Sequence, residues 1–284
     1  MVYLLIILSL IVLHYVFFCF FKVTRYEIKS NKIDKDLKVL FLSDLHGFTY
    51  GNRLYNRIKA LEPDVILIGG DSVNKTNAKS FDKAKKLICR LPEIAPTYFA
   101  FGNHESKLKS LSFDEDRELK MAFNAFISEL NANNVWLMYN EVEDIGDLSV
   151  MPIELPLEYY CKRELKPYNK DEVIGSIIGE LSVDKFNIIL SHNPNYAGNY
   201  AELNPDLILC GHTHGGLVRI PFVGAIISPE LELFPKYSGG MYTVVNGERS
   251  TKLIVSKGLG THGFHIRVHD MAEIVEIKLI SDKG

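Results

Sequence analysis

Two histidines, one residue apart and flanked by glycines, follow a short apolar run at residues 207–210. These residues are His212 and His214, and imidazole nitrogens that follow a buried strand are suited to binding a metal ion. The flanking glycines allow the sharp backbone turn that such a pair needs. Two histidines alone are a weak signal. The ends of the other predicted strands therefore decide whether a metal site exists.

Four further apolar runs, interpreted as strands, end in polar residues of the same kinds. These runs occupy residues 37–42, 64–68, 97–100 and 186–190. The alternation of strand, polar turn and helix indicates parallel βαβ units, in which sites form at the carboxyl ends of the strands. With the histidine pair included, the candidate metal ligands are Asp44, His46, Asp71, Asn103, His192, His212 and His214.

The candidate ligands combine carboxylate oxygen, amide oxygen and imidazole nitrogen. This combination suits two divalent metal ions such as Mn, Fe or Zn rather than a thiolate site. Seven protein ligands are too many for one ion that keeps a position open for substrate, whereas they fit two ions that share a bridging carboxylate. Two such cations about 3.5–4 Å apart clamp phosphoryl oxygens and deprotonate a water at neutral pH. Such a pair of ions is suited to hydrolysing a phosphoester with a metal-activated hydroxide.

The order of the motifs carries a family resemblance. From Asp44 onward the chain contains Asp-x-His, Gly-Asp, Gly-Asn-His-Glu, a lone histidine after a strand, and Gly-His-x-His. This order resembles the calcineurin-like metallophosphoesterase superfamily. Residues 215–221 and 258–261 are similar to its bacterial membrane-associated branch, which is related to UDP-diacylglucosamine hydrolases. The resemblance implies an α/β fold, specifically a four-layer αββα sandwich of two mixed sheets with helices outside.

The resemblance also implies a role for each matching residue. One ion would be bound by Asp44, His46 and His214, and the other by Asn103, His192 and His212. Asp71 would bridge the two ions, and His104 would be catalytic, contacting the phosphoryl group rather than a metal. Arg219 follows the glycines and is a candidate substrate-binding residue, since guanidinium pairs with phosphate in a bidentate manner. A surface salt bridge explains Arg219 equally well.

Two regions depart from the family pattern and bear on the substrate. Residues 265–267 lack an expected proline, and residues 151–154 precede an unusual aromatic insert at 156–168. In that insert, the tyrosines at 159, 160 and 168 either line a lipid or nucleotide pocket or belong to a packed surface loop. His262, His265 and His269 are interpreted as structural or exposed rather than catalytic.

The N-terminal segment differs in composition from the rest of the chain. Residues 1–21 contain no Asp, Glu, Lys or Arg and consist mostly of Leu, Ile, Val and Phe. About twenty such residues match the hydrocarbon core of a bilayer. The missing basic start and small-residue cleavage site argue against a signal peptide, and a buried core helix is the other alternative. We predict a transmembrane anchor at 1–22, a basic juxtamembrane linker at 23–36 and a metallophosphoesterase domain at 37–284.

Charge and cysteine usage bear on location and partners. The basic residues follow the anchor, so the positive-inside rule predicts a single-pass cell-membrane protein with a cytoplasmic catalytic domain. The net charge of -3 over 284 residues is too close to neutral to indicate a nucleic-acid partner. The cysteines are scattered and are interpreted as reduced thiols. They are Cys19, Cys89, Cys161 and Cys210.

The anchor, the short linker and the aromatic insert together predict a lipid-linked phosphodiester or pyrophosphate as substrate. Four lysines after the anchor would hold the domain against anionic headgroups. They are Lys29, Lys32, Lys35 and Lys38. Three alternatives stay open. The first is a general phosphodiesterase that the anchor only localises, and the second is a hydrolase of another class: a phosphomonoesterase, a protein phosphatase or a cyclic-nucleotide hydrolase. The third is a metal-free scaffold on the same fold. A scaffold would be expected to lose ligands, and this chain keeps them.

Overall fold

The computed structural model describes residues 19–48, 50–160, 165–220, 223–228, 232–261 and 270–283. Most of the predicted anchor at 1–22 lies outside these ranges, as do His262, His265 and His269. Within the described ranges, no helix is long and apolar enough to cross a membrane.

The chain folds into α/β structure. Its strands are β1 (Phe21–Ser30), β2 (Leu37–Leu42), β3 (Val65–Gly69), β4 (Thr97–Ala100), β5 (Val135–Met138), β6 (Glu143–Ile145), β7 (Leu148–Ile153), β8 (Phe186–Ser191), β9 (Leu207–Cys210), β10 (Val218–Ile220), β11 (Gly224–Ile227), β12 (Gly240–Asn246), β13 (Arg249–Val255) and β14 (Ala272–Ser281). Its helices are α1 (Asn52–Leu61), α2 (Lys79–Ile88), α3 (Asn103–Ser110), α4 (Arg117–Ala132), α5 (Lys170–Ile174) and α6 (Ala197–Ala201).

Two six-stranded mixed sheets carry most of these strands. The first has the order β1-β14-β2-β3-β4-β5, and the second has the order β12-β13-β9-β8-β7-β6. Strands β2 to β5 are parallel in the first sheet, and β7, β8, β9 and β13 are parallel in the second. Strands β10 and β11 form a separate hairpin. Each predicted ligand follows a parallel strand or lies at the start of the helix after one.

Side chains alternate along the strands and build three apolar layers. In β2, Phe41 lies in the layer between the two sheets, whereas Leu42 packs with the helices outside the first sheet. In β9, Leu209 lies between the sheets and Ile208 packs with the helices outside the second sheet. Because both faces of each sheet are covered, these strands are continuous apolar runs. The layers therefore follow the predicted order of helix, sheet, sheet and helix.

The interval predicted to be a basic linker is largely a strand, and that prediction is wrong. Strand β1 pairs in parallel with β14 over its whole length, so the domain begins by Phe21 and not at residue 37. Tyr26 and Ile28 of β1 pack against the apolar layer between the sheets, while Arg25 and Lys29 are exposed. An edge strand with one buried side thus accounts for residues 21–30.

The direction of β1 places the four lysines far from the predicted site. Phe21 lies opposite Ala272, and β14 runs antiparallel to β2, so β1 begins at the carboxyl end of β2 and ends at its amino end. Lys29, Lys32, Lys35 and Lys38 therefore lie at the edge opposite the ligands. Lys32 Nζ lies 2.8 Å from Asp206 Oδ2, and Lys38 Nζ donates to the carbonyl of Leu61.

The aromatic insert forms a short 3₁₀ turn at Leu157–Tyr160, and residues 161–164 lie outside the described part of the chain. Tyr159 is fully buried against the second sheet, and its hydroxyl donates to Glu172 Oε2 at 2.8 Å. For this tyrosine the packed-loop interpretation is therefore the correct one.

Candidate metal centre

The first cluster of candidate ligands contains Asp44, His46 and His214. Asp44 and His46 of the Asp-x-His motif follow β2, and His214 follows β9 of the other sheet. His214 Nε2 lies 3.6 Å from Asp44 Oδ1 and 3.2 Å from His46 Nε2. All three ligand atoms lie within 4.8 Å of one another. The facing ends of the two sheets therefore bring one carboxylate and two imidazoles to a common point.

The second cluster contains Asp71, His192 and His212, whose ligand atoms also lie within 4.8 Å of one another. His192 Nε2 lies 3.2 Å from Asp71 Oδ2 and 3.6 Å from Asp44 Oδ1. His192 Nδ1 lies 2.7 Å from the carbonyl oxygen of Gly69. A carbonyl can only accept a hydrogen bond, so Nδ1 carries a proton and Nε2 can offer its lone pair to a metal.

Asp71 lies between the two clusters. Its Oδ2 atom is 3.2 Å from His192 Nε2, 3.9 Å from His46 Nε2 and 3.9 Å from His104 Nε2. Asp44 Oδ1 likewise lies 3.6 Å from ring nitrogens of both clusters, His192 Nε2 and His214 Nε2. Both buried carboxylates therefore approach the two clusters, and Asp71 is the one to which the motifs assign the shared position.

Asn103 supplies an independent test of whether the site fits metal ions. It begins α3, is almost fully buried, and its Oδ1 atom accepts no hydrogen bond from the residues that the structure describes. A buried amide oxygen without a donor is unfavourable unless a cation or another group satisfies it. Together with the carboxylates and imidazoles, this oxygen makes the donor set fit divalent metal ions.

The charges in the site call for a cation. Burial raises the pKa of Asp44 to about 6, with repulsion from Asp71 adding to this effect and His192 opposing it. Burial opposes the charge on Asp71 too, but His192 and His104 hold its pKa well below the usual range. Burial opposes the charge on His192, yet Asp71 and Asp44 raise its pKa to about 10. In the metal-free protein a proton thus partly balances the two carboxylates.

The ligand loops have an uncommon backbone conformation. Five candidate ligands have positive φ, in the left-handed region that side chains other than glycine rarely adopt. They are Asp44 (φ 53°), His46 (46°), Asp71 (52°), His212 (73°) and His214 (51°). Such conformations cost about 1–3 kcal/mol each and cluster at functional sites. The strain shows that the surrounding packing fixes these side chains in position.

Two motif glycines are required by close approach and not by their own φ. A side chain at Gly102 would overlap Asp71 Oδ1, and one at Gly211 would overlap Asp44 Oδ2. The glycines of Gly-Asn-His and Gly-His-x-His therefore let the backbone pass directly beside the two carboxylates.

A model of the family described as calcineurin-like phosphoesterase matches residues 37–216 of the chain. The chain belongs to this family. A Campylobacter jejuni relative named "Uncharacterized metallophosphoesterase Cj0846" is 30% identical over 275 residues, which cover 92% of this chain and 64% of the relative. The chain also spans 64% of the length of a Helicobacter pylori metallophosphoesterase that it matches.

Two relatives carry names that describe an activity. "Phosphodiesterase YaeI" of Escherichia coli is 27% identical, with 86% of this chain and 82% of that protein covered. "UDP-2,3-diacylglucosamine pyrophosphatase LpxG" of Chlamydia trachomatis is 23% identical, with 79% of this chain and 78% of that protein covered. These relatives are consistent with the branch that the motifs indicated.

Glu105, the last residue of the family motif Gly-Asn-His-Glu, has a role that the sequence did not reveal. Its buried carboxylate accepts hydrogen bonds from the backbone N–H groups of Asp71 (2.8 Å), Ser72 (2.8 Å), Val73 (3.2 Å) and Gly102 (3.1 Å). Burial raises the pKa of this carboxyl to about 7, with the charge on Asp71 adding to it. Glu105 therefore fixes the loop that carries Asp71.

The predicted catalytic residue His104 forms a third group with His46 and Asp71, whose possible ligand atoms also lie within 4.8 Å of one another. Its backbone N–H donates to Asp71 Oδ1 at 2.8 Å, and its ring centroid is 4.6 Å from that of His46. Its Nδ1 atom is 3.1 Å from both the carbonyl oxygen of Val73 and the backbone nitrogen of Lys75. This nitrogen thus has a partner whether it is protonated or not, and Nε2 lies on the side of Asp71.

Arg219 and Tyr160 have surroundings that bear on their predicted roles. Arg219 Nη1 donates to the carbonyl oxygens of Ser238 (3.0 Å) and Gly215 (3.2 Å), so it ties the β10–β11 hairpin to the turn after His214. Its contact with phosphate stays a prediction. The ring of Tyr160 lies 5.2 Å from that of His212, so this tyrosine of the insert lies against the second cluster.

Proposed function

We propose that the chain is a two-metal phosphoesterase that hydrolyses a phosphodiester or pyrophosphate bond. The observation that carries the proposal is the position of Asp71 between two clusters of candidate ligands. Two divalent ions bound there would supply Lewis acidity to the phosphoryl oxygens and lower the pKa of a water molecule. Mn, Fe and Zn all suit the donor set.

The candidate ligands would be divided between the two ions as follows. Asp44, His46 and His214 hold one ion, and Asn103, His192 and His212 hold the other, with Asp71 shared. Carbonyl groups behind His192 and His214 fix the orientation of the rings, since Nδ1 of each lies within 3.3 Å of a backbone oxygen.

His104 would protonate the leaving oxygen from Nε2. The hydrogen bond from Nδ1 to the carbonyl of Val73 can persist throughout this transfer, because Nδ1 keeps its own proton. Positioned proton transfer of this kind contributes about 10²–10⁴ in rate.

The substrate class can be tested by metal analysis followed by turnover on a diester, a monoester and a pyrophosphate. We expect about two ions per chain, loss of turnover on chelation, and recovery with Mn²⁺. Faster hydrolysis of the monoester would favour a phosphomonoesterase or protein phosphatase instead. A metal-loaded protein that turns over none of the three substrates would favour the scaffold alternative.

We also propose that the uncharged N-terminal residues anchor the protein in the cell membrane with the catalytic domain in the cytoplasm. Support comes from their composition and from the basic residues that follow. Because Lys22 lies in β1, the anchor would end by residue 20. Protease added outside intact cells should spare the domain and should degrade it after permeabilisation. Degradation in intact cells would overturn this orientation.

A lipid-linked substrate is the finer part of the proposal. It is supported by the apolar N-terminus and by the printed name of the Chlamydia relative, which describes a pyrophosphatase of a diacylated sugar nucleotide. The test compares an acylated nucleotide-sugar lipid with its deacylated analogue. Equal kcat/KM for the two would leave a general phosphodiesterase.

A further inference from the structure

The first strand begins at the end of the sheet where the parallel strands terminate and where the candidate metal centre lies. The ring of Phe21 packs against that of Tyr50, with the centroids 4.9 Å apart. Tyr50 closely follows the His46 turn, and its hydroxyl donates to the carbonyl of Leu259 at 2.7 Å. Backbone N–H groups of Leu259 and Gly260 donate to the carbonyls of Ser43 and Asp44. The start of β1 is thus packed directly against the loops that hold the first cluster.

A groove of about 400 Å³ opens at this point, and its walls are aromatic and basic. We call this surface the β1–α1 rim, and its residues are Phe20, Phe21, Lys22, Val23, Arg53 and Arg57. Phe20 is 47% exposed, and the guanidinium of Arg53 lies 5.5 Å from the centre of its ring. Arg53 and Arg57 are four residues apart on α1, so both project from one face of the helix.

The positive charge of the rim is poorly compensated. Within the part of the chain that the structure describes, neither Arg53 nor Arg57 has an acidic group within 4.0 Å. The nearest acid to Lys22 is Glu273 at 3.9 Å. At the opposite end of the strands the charge of Lys32 is compensated, because its Nζ lies 2.8 Å from a carboxylate oxygen of Asp206. Arg53 Nη2 donates to the carbonyl of Cys19 at 3.1 Å, and neither guanidinium is paired with a described carboxylate, so both can still bind an external anion.

We propose that the β1–α1 rim docks on an anionic phospholipid surface and thereby turns the candidate metal centre toward the membrane. Guanidinium groups match phosphate in a bidentate manner, and an exposed aromatic ring beside them is typical of a surface at the headgroup level. Residues 1–18 contain no Asp, Glu, Lys or Arg, and Phe20 of the rim follows them closely in the sequence. The proposal concerns orientation, so it does not depend on which bond is hydrolysed.

The test uses the full chain reconstituted in vesicles of phosphatidylcholine, alone or mixed with phosphatidylglycerol. Asn56, exposed between the two arginines, is replaced by a fluorescent amino acid, and lipid with a spin-labelled headgroup serves as quencher. We expect stronger quenching in the anionic vesicles than in phosphatidylcholine alone, and we expect high salt to weaken the difference. Each basic side chain near such a surface contributes about fivefold, so Arg53→Gln with Arg57→Gln should lower the ratio of docked to undocked protein about 25-fold.

The matched control is Lys29→Gln with Lys35→Gln, which removes the same charge from exposed positions at the opposite edge. This control should leave the quenching unchanged, and both double variants should keep the melting temperature and the turnover of a soluble diester. Equal quenching in both kinds of vesicle, or an equal effect of the two double variants, would overturn the proposal. A fluorescence response to inorganic phosphate without vesicles would assign the rim to a soluble anion and would also overturn it.

Discussion

Replacing Glu105 by glutamine is a sharp test of how the site is held together. Glu105 Oε1 accepts from the backbone N–H groups of Ser72 and Val73, and Oε2 accepts from those of Asp71 and Gly102. Glutamine has nearly the same shape but replaces one oxygen by an NH₂ group, which cannot accept. Whichever oxygen is lost, two buried N–H groups lose their acceptor.

The size of the effect follows from this count. A buried donor without an acceptor costs about 1–3 kcal/mol, so two cost about 2–6 kcal/mol. The variant no longer buries a carboxylate whose pKa burial has raised to about 7, and this gain offsets part of the loss. We therefore expect a loss near the lower end, about 2 kcal/mol. We also expect kcat to fall about 10²-fold, since a shift of about 1 Å in a positioned group can have that effect.

The measurements are thermal unfolding, metal content and steady-state kinetics on a diester. The matched control is Glu172→Gln, the same change at a carboxylate that accepts from Tyr159 outside the second sheet, and it should leave kcat unchanged. A variant Glu105→Gln that keeps its metal content and kcat while melting earlier would refute a positioning role. It would reduce Glu105 to a residue that only stabilises the fold.

Three further predictions concern the site. Asp71→Asn should weaken binding of both ions and nearly abolish turnover. His104→Ala should keep about two ions per chain while kcat falls about 10²–10⁴-fold. Equal metal loss in the two variants would contradict this division of roles. Because Asp71 and Asp44 raise the pKa of His192 to about 10, metal binding at neutral pH must displace its proton. Metal affinity should then rise with pH, and calorimetry in buffers of different ionisation enthalpy should detect proton release; its absence would contradict the assignment. Arg219→Ala should lower stability by about 1–2 kcal/mol through two lost hydrogen bonds, with KM unchanged; a raised KM at unchanged melting temperature would instead support the phosphate contact.

The sequence predicted where the candidate ligands meet, because that part of the problem depends on short patterns. Asp44, Asp71 and His192 each follow an apolar run, and a run that is buried on both faces indicates a strand of a covered parallel sheet. Parallel strands end at one edge, so the polar residues after them converge without any knowledge of the loops. The two clusters agree with this reasoning.

The conformation of the loops was beyond such reasoning. The role of Glu105 depends on a turn more than thirty residues earlier in the chain, which no local pattern specifies. The left-handed backbone at His46 and His214 depends in the same way on the packing of two sheets. The glycines beside these residues were the one local sign that the backbone is unusual there.

The linker prediction was wrong because it was based on the basic residues after the anchor and not on the two-residue alternation of their side chains. From Thr24 to Lys29 the residues alternate between those that pack on the sheet and those that are exposed, which is the period of a half-buried strand. Strand β1 is also an edge of its sheet, where exposed charged side chains prevent pairing with other chains. The strand therefore accounts for the exposure of Arg25 and Lys29.

The same finding changes which charges bear on the orientation of the domain. The lysines after β1 lie at the edge away from the candidate metal centre, so they cannot hold that centre against a membrane. The three basic groups of the rim come from two distant parts of the chain, Lys22 on β1 and Arg53 and Arg57 on α1. A charge count along the sequence does not group them, because only the pairing of β1 with β14 brings them together. If a membrane surface orients this phosphoesterase domain, we expect that surface to contact the β1–α1 rim.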